Sequence, residues 1–148
     1  MQEIPKFQKP RNNRFILQVT GTQNGDFAGR ITEVLTGETT GFTSFAHMLL
    51  LLEGILDESN FPQRALTKRS FGKELPVITQ TPTLAKGDAT FELGIIFRQN
   101  GSWQGDLHWT DRRSQSTFRS VLELLYLITS ALEEAGKTDD ANKSNTAD

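Results

Sequence analysis

Phe91-Glu92-Leu93-Gly94-Ile95-Ile96-Phe97-Arg98-Gln99-Asn100-Gly101-Ser102-Trp103-Gln104-Gly105-Asp106-Leu107-His108-Trp109 is the stretch on which the fold turns. Phe91, Leu93, Ile95 and Phe97 alternate with Glu92, Gly94, Ile96 and Arg98, which is the period of a half-buried strand. Trp103, Gly105, Leu107 and Trp109 alternate in the same way with Gln104, Asp106 and His108, and Asn100-Gly101 between the two runs marks a hairpin. A two-residue loop would set Phe97 opposite Gln104 and Ile95 opposite Asp106, mixing the faces. A three-residue loop, Gln99-Asn100-Gly101, opposes Phe97 to Trp103, Ile95 to Gly105, Leu93 to Leu107 and Phe91 to Trp109. A slip of one residue turns a whole strand over, so the sequence predicts the second solution, with Gly101 at positive φ in a bulged turn. Trp103 and Trp109 then belong to the core. Glu92, Arg98, Gln104, Asp106 and His108 share the outward face, with Glu92 opposite His108.

The same unit occurs earlier in the chain. Residues 14–56 align without a gap on residues 90–132, with 11 identities in 43 positions where ordinary composition gives roughly three. Phe15 matches Phe91, Leu17 matches Leu93, Gln23-Asn24-Gly25 matches Gln99-Asn100-Gly101, and Gly29 matches Gly105. Phe42/Phe118, Ser44/Ser120 and Leu56/Leu132 continue the series, which predicts Val19 opposite Gly29 and Leu17 opposite Ile31. Gly29 and Gly105 fall on the buried face, where a missing side chain lets a helix approach closely.

Each hairpin leads into a helix. Ser120 and Glu123 form a capping box, Val121, Leu124, Leu125, Ile128 and Leu132 line one face, and Gly136 can close the end. Ser44 is the equivalent cap, with His47 in place of the glutamate. The first helix, residues 45–56, is apolar almost all round, so it lies between the units or forms an oligomer contact. A unit of this size cannot bury its own sheet face. The expected fold is therefore α+β, a tandem pseudo-symmetric ββα repeat with hairpins side by side or face to face and two helices sharing one core.

Residues 1–136 read as a single domain, with units at 14–56 and 90–136 and a linker at 57–89. The linker holds a basic stretch that can start a short helix through Arg69, and a short edge strand at residues 75–79 limited by Pro76. Residues 137–148 are polar and are expected to form a disordered tail.

Composition narrows the chemistry. The absence of cysteine removes disulfides, thiolate metal sites and a cysteine nucleophile, and suits a cytoplasmic location. The beginning shows no apolar signal segment, and no apolar run approaches the roughly 20 residues of a membrane span. Only two histidines, His47 and His108, argue against a multi-histidine metal site, and no cofactor motif is present. Glu92, Asp106 and His108 supply no nucleophile or oxyanion donor at a recognisable spacing, so the chain does not read as an enzyme.

Residues 97–105 followed by 118–124, Phe97-Arg98-Gln99-Asn100-Gly101-Ser102-Trp103-Gln104-Gly105 and Phe118-Arg119-Ser120-Val121-Leu122-Glu123-Leu124, resemble a family of short bacterial proteins built on roughly one such ββα unit. The first unit departs from the pattern at Phe27, Thr43 and His47. The resemblance implies a bacterial origin and carries no activity. If single-unit relatives pair, it implies a fused dimer with a pseudo-twofold axis.

Two function classes follow. The first is a protein-binding or self-associating module, working through Phe45, Met48 and Leu52 on the apolar helix and through the hairpin-tip amides Gln23 and Gln99. The alternative is a nucleic-acid binder using Arg64, Lys68, Arg69 and Lys73 of the linker with Arg112 and Arg113, although the net charge is −2 and no exposed aromatics interleave with these cations.

Overall fold

The computed structural model describes residues 12–23, 25–64 and 89–145, with side chains of the last helix through residue 136. The chain order is β1 (Arg14–Gln23), β2 (Asp26–Glu33), β3 (Thr39–Phe42), α1 (Phe45–Ser59), β4 (Ala89–Phe97), β5 (Gln104–Trp109), β6 (Ser114–Phe118) and α2 (Val121–Asn145). The strands make one six-stranded antiparallel sheet in the order β3-β2-β1-β4-β5-β6. The fold is α+β. The hairpins lie side by side, joined by β1 against β4.

Two strands, β3 and β6, are absent from the sequence reading. The reason lies in their composition. Thr39-Thr40-Gly41-Phe42 and Ser114-Gln115-Ser116-Thr117-Phe118 each bury only the final phenylalanine, so they carry no alternating apolar signal. Phe42 pairs with Gly29 and Phe118 with Gly105, which brings both rings onto the buried face.

One sheet face carries Phe15, Leu17, Val19, Phe27, Ile31, Phe91, Leu93, Ile95, Trp103 and Leu107 into a cluster with Met48, Leu52 and Leu56 of α1 and Leu124 and Ile128 of α2. The helices therefore cover that face, and Arg30, Glu92, Gln115 and Thr117 on the other are exposed. A fully buried leucine or phenylalanine contributes about 2 kcal/mol relative to exposure, so this face dominates stability. Around α1, Phe45, Leu49, Leu51 and Ile55 pack at the cluster's edge, and Ala46, Gly54 and Glu58 remain at the surface.

The hairpin register holds in the sheet and changes at the tip. Phe91 faces Trp109, Leu93 faces Leu107, Ile95 faces Gly105 and Glu92 faces His108, as predicted. Phe97, however, faces Gln104, not Trp103. The turn is the two-residue form, with Asn100 (φ 57°) and Gly101 (φ 69°) both left-handed and Ser102 N–H donating to Gln99 O at 3.0 Å. A bulge between Ile95 and Phe97 absorbs the extra residue and restores the apolar register below it. The same bulge inverts the alternation, so Phe97 becomes 53% exposed and Arg98 only 2% exposed, opposite to the predicted placement of each. β1 has the matching bulge between Val19 and Gly21, and its pairs Val19–Gly29 and Leu17–Ile31 are the predicted ones.

Gly29 and Gly105 make room for a strand and not a helix. A Cβ on Gly29 would overlap the carbonyl oxygen of Gln18, and one on Gly105 that of Gly94. Helix α2 also runs on past Gly136 to Asn145, through much of the stretch expected to be a tail. An interior glycine costs a helix only about 1 kcal/mol and ends it only when it turns left-handed. The linker elements predicted beyond Arg64, including residues 75–79, lie outside the described residues.

Candidate functional site

The elements bring together two groupings that no single motif in the sequence announces. The first is a partly buried ionic cluster, centred on the buried Arg98, where α1 meets the β4–β5 hairpin. The bulge turns Arg98 inward, and its Nη1 donates to Asp57 Oδ1 at 2.8 Å and to Glu53 Oε2 at 3.4 Å, while its Nε donates to Pro62 O at 2.6 Å. Arg64 pairs with Asp57 and lies 3.8 Å from Glu53, and the Trp103 indole N–H donates to the other Glu53 oxygen. Glu53 and Asp57 sit four apart on one helix face, where like charges repel by a few tenths of a kcal/mol unless cations arrive. That spacing was the one available sequence signal for this cluster.

The second grouping is a cleft of about 270 Å³ between β6 and α2. Phe91, Leu107 and Trp109 line it from the sheet, Ser114, Gln115 and Ser116 from β6, and Leu127, Ser130, Ala131, Glu133 and Glu134 from the helix. Trp109 stacks on Phe91 with ring centroids 6.3 Å apart, and the Arg112 guanidinium lies 5.1 Å from its ring centroid. The Trp109 Nε1 is buried without an acceptor among the described residues. Under the 76-residue offset Trp109 aligns with Glu33, which is buried and accepts from Asn12 Nδ2 at 2.6 Å, so the two positions differ in chemistry. Sequence reasoning missed this cleft because β6 carries no apolar pattern and Ser130, Glu133 and Glu134 read as the ordinary outer face of a helix.

The residues expected to bind a partner fall elsewhere. Met48 and Leu52 are 0% exposed and belong to the core, so they present no surface. Phe45 is half-buried against Phe27, with ring centroids 5.6 Å apart, and its N–H donates to Asp26 Oδ1. Gln23 and Gln99 are exposed at hairpin tips, but β1 and β4 run antiparallel, which puts the two tips at opposite ends of the sheet. The two glutamines therefore do not converge on one site.

Among the nucleic-acid candidates, Arg64 is held in the acidic cluster and Arg112 lies over Trp109. Arg113 is exposed, with a left-handed backbone (φ 51°). Lys68, Arg69 and Lys73 lie outside the described residues. On the open sheet face Arg14 lies 3.5 Å from Asp106, and His108 lies 3.8 Å from Glu92. Among the described residues there is no group of three or more His, Asp or Glu placed to hold a metal ion, and no helix long and apolar enough to cross a membrane.

The helix starts complete the electrostatic picture. Glu123 N–H donates to Ser120 Oγ at 3.1 Å, and the Glu123 carboxylate accepts from Arg119 N–H at 2.7 Å and from the Arg119 guanidinium. These bonds, the guanidinium first, lower the Glu123 pKa to about 2. At α1, His47 N–H donates to Ser44 Oγ at 3.0 Å, and His47 Nδ1 accepts from Thr43 N–H at 3.1 Å. The imidazole therefore does for the first helix what the carboxylate does for the second.

Comparison with protein-family models, curated proteins and solved structures finds no match to this chain.

Proposed function

We propose that this chain is a duplicated unit, two βββα halves sharing one core about a pseudo-twofold axis, and that it is a non-enzymatic protein-binding module working through the cleft between β6 and α2. Matching positions support the duplication. The central ladder pairs Ile16 with Glu92, which are equivalent under the 76-residue offset, and flanks them with Phe15–Leu93 and Leu17–Phe91. Equivalent bulges, equivalent close-approach glycines and equivalent caps recur. Phe45 N–H bonds Asp26 Oδ1 where Val121 N–H bonds Ser102 Oγ at the same offset. A bacterial or mobile-element accessory role is part of this proposal.

The observation that carries the binding reading is the cleft itself: an apolar floor beside an outermost strand, with an orphaned indole N–H. Such a mixture of aromatic surface and a few polar groups is characteristic of recognition sites. A phosphate-binding surface has weaker support, since Arg14 and Arg64 face carboxylates and Arg112 covers an indole.

The test is affinity capture by the full chain from nuclease-treated lysate of its own organism, beside a Ser130→Trp variant that fills the cleft rim. Retention of a stoichiometric protein at moderate salt, lost on Ser130→Trp, is the expected outcome. Recovery of nucleic acid with a steep salt dependence would replace this reading with the phosphate-binding one.

A further inference from the structure

The cleft does not stand alone. It runs beside β6, an outermost strand of the sheet, so one side of that strand's backbone has no strand neighbour among the described residues. Proteins ordinarily guard such an edge with a charge, a proline or a bulge. Ser114-Gln115-Ser116-Thr117-Phe118 contains no charge or proline, its ladder to β5 is regular, and its first four residues are exposed. Ser114, Gln115 and Ser116 are also the residues through which β6 lines the cleft. An unguarded edge and an apolar trough therefore share one wall.

The other wall is α2. A volume of about 270 Å³ holds side chains and not a folded element. Side chains of a strand alternate, so residues i and i+2 of an added strand would face the same way, beside Ser114 and Ser116 with Trp109 beyond them and α2 opposite. Among the described residues, the charged ones lining the cleft are Glu133 and Glu134, both acidic.

We infer that β6 and the cleft form a single site that takes an extended peptide by strand addition, a deepening that rests on the protein-binding reading above. The peptide pairs its backbone with β6 as a seventh strand. One apolar side chain leans over Ser114 and Ser116 into the cleft toward Trp109, and a lysine or arginine two residues away meets Glu133. In this mode main-chain hydrogen bonds supply affinity and alternate side chains supply specificity.

The experiment pans a library of random heptapeptides on the full chain and counter-selects on the folded Ser130→Trp variant. The expected winners carry an apolar residue with lysine or arginine at i+2. A synthetic winner at saturation slows amide exchange across residues 114–117 by about tenfold. Glu133→Lys weakens its binding by about tenfold. N-methylation of alternate amides in the peptide abolishes binding. A winner that binds at Ser130 without slowing exchange in residues 114–117 overturns strand addition and leaves the protein-binding reading intact. Winners with no basic preference and no response to Glu133→Lys overturn the ligand class. No peptide enriched over the Ser130→Trp control, with lysate capture of protein still sensitive to Ser130→Trp, overturns the inference alone. Capture indifferent to Ser130→Trp overturns both. Protection of residues 114–117 without peptide, in a chain that sediments as a dimer, assigns the edge to a second copy and overturns the peptide.

Discussion

Arg98 has a side chain that is 1% exposed, and it is held by Asp57, Glu53 and the Pro62 carbonyl. Removing a buried cation strands the carboxylates that faced it, which is why losing one partner costs far more than the pair is worth. Arg98→Met is expected to lower stability by about 3 kcal/mol, seen as a fall in the urea midpoint at unchanged m-value. A loss no larger than that of a surface substitution would mean that Arg64 alone satisfies both acids. Glu123 makes a separate prediction through pH. Its folded pKa of about 2 lies below the ordinary 4.5. Its contribution is therefore complete above pH 4.5 and disappears as pH falls through about 2. Carboxyl-detected NMR should find Glu123 ionised at pH 3, and Arg119→Ala should return its titration toward the ordinary range.

Strand pairing sets the next scale. Gly29 and Gly105 face carbonyl oxygens of the neighbouring strand beside the two bulges, so any side chain there drives the strands apart. Gly105→Ala and Gly29→Ala are each expected to cost about 3 kcal/mol by thermal or urea unfolding, the upper range for overpacking. Gly54→Ala is the control, since its added Cβ meets nothing within 4 Å and replaces a helix-interior glycine. That change should stabilise by about 0.5–1 kcal/mol. Strands β1, β2, β4 and β5 and both helix starts were legible in the sequence because alternation and capping are local patterns. The third strands were not, because a single buried phenylalanine in four or five residues produces no periodicity. The same silence hid the cleft, one wall of which is β6.

Across the whole molecule, β1 and β4 are the sheet's centre, and Phe15, Leu17, Phe91 and Leu93 are buried beside that seam. A half-chain of residues 89–148 would expose β4 along its full length. It should be unfolded or should pair with itself, and analytical ultracentrifugation with circular dichroism distinguishes these from a folded monomer. A folded, monomeric half would contradict the shared-core reading. A self-paired half would reproduce the central ladder with equivalent residues opposed, as Ile16 and Glu92 now are.

The sequence by itself determined the faces of β1, β2, β4 and β5 below the bulges and the capping serines, because each depends on neighbours within a turn or a hairpin. It also determined which residues oppose one another below the bulges, since one buried face tolerates a single register. Only the tertiary structure decided that the bulge would absorb the extra hairpin residue and so bury Arg98 while exposing Phe97. Only it brought Glu53, Asp57, Arg64 and Arg98 together, and set β6 against α2 around Trp109. These outcomes depend on which strand lies beside which and on where each helix lies across them. Such choices are made by packing between residues distant in the chain, and periodicity along a single segment carries no record of them.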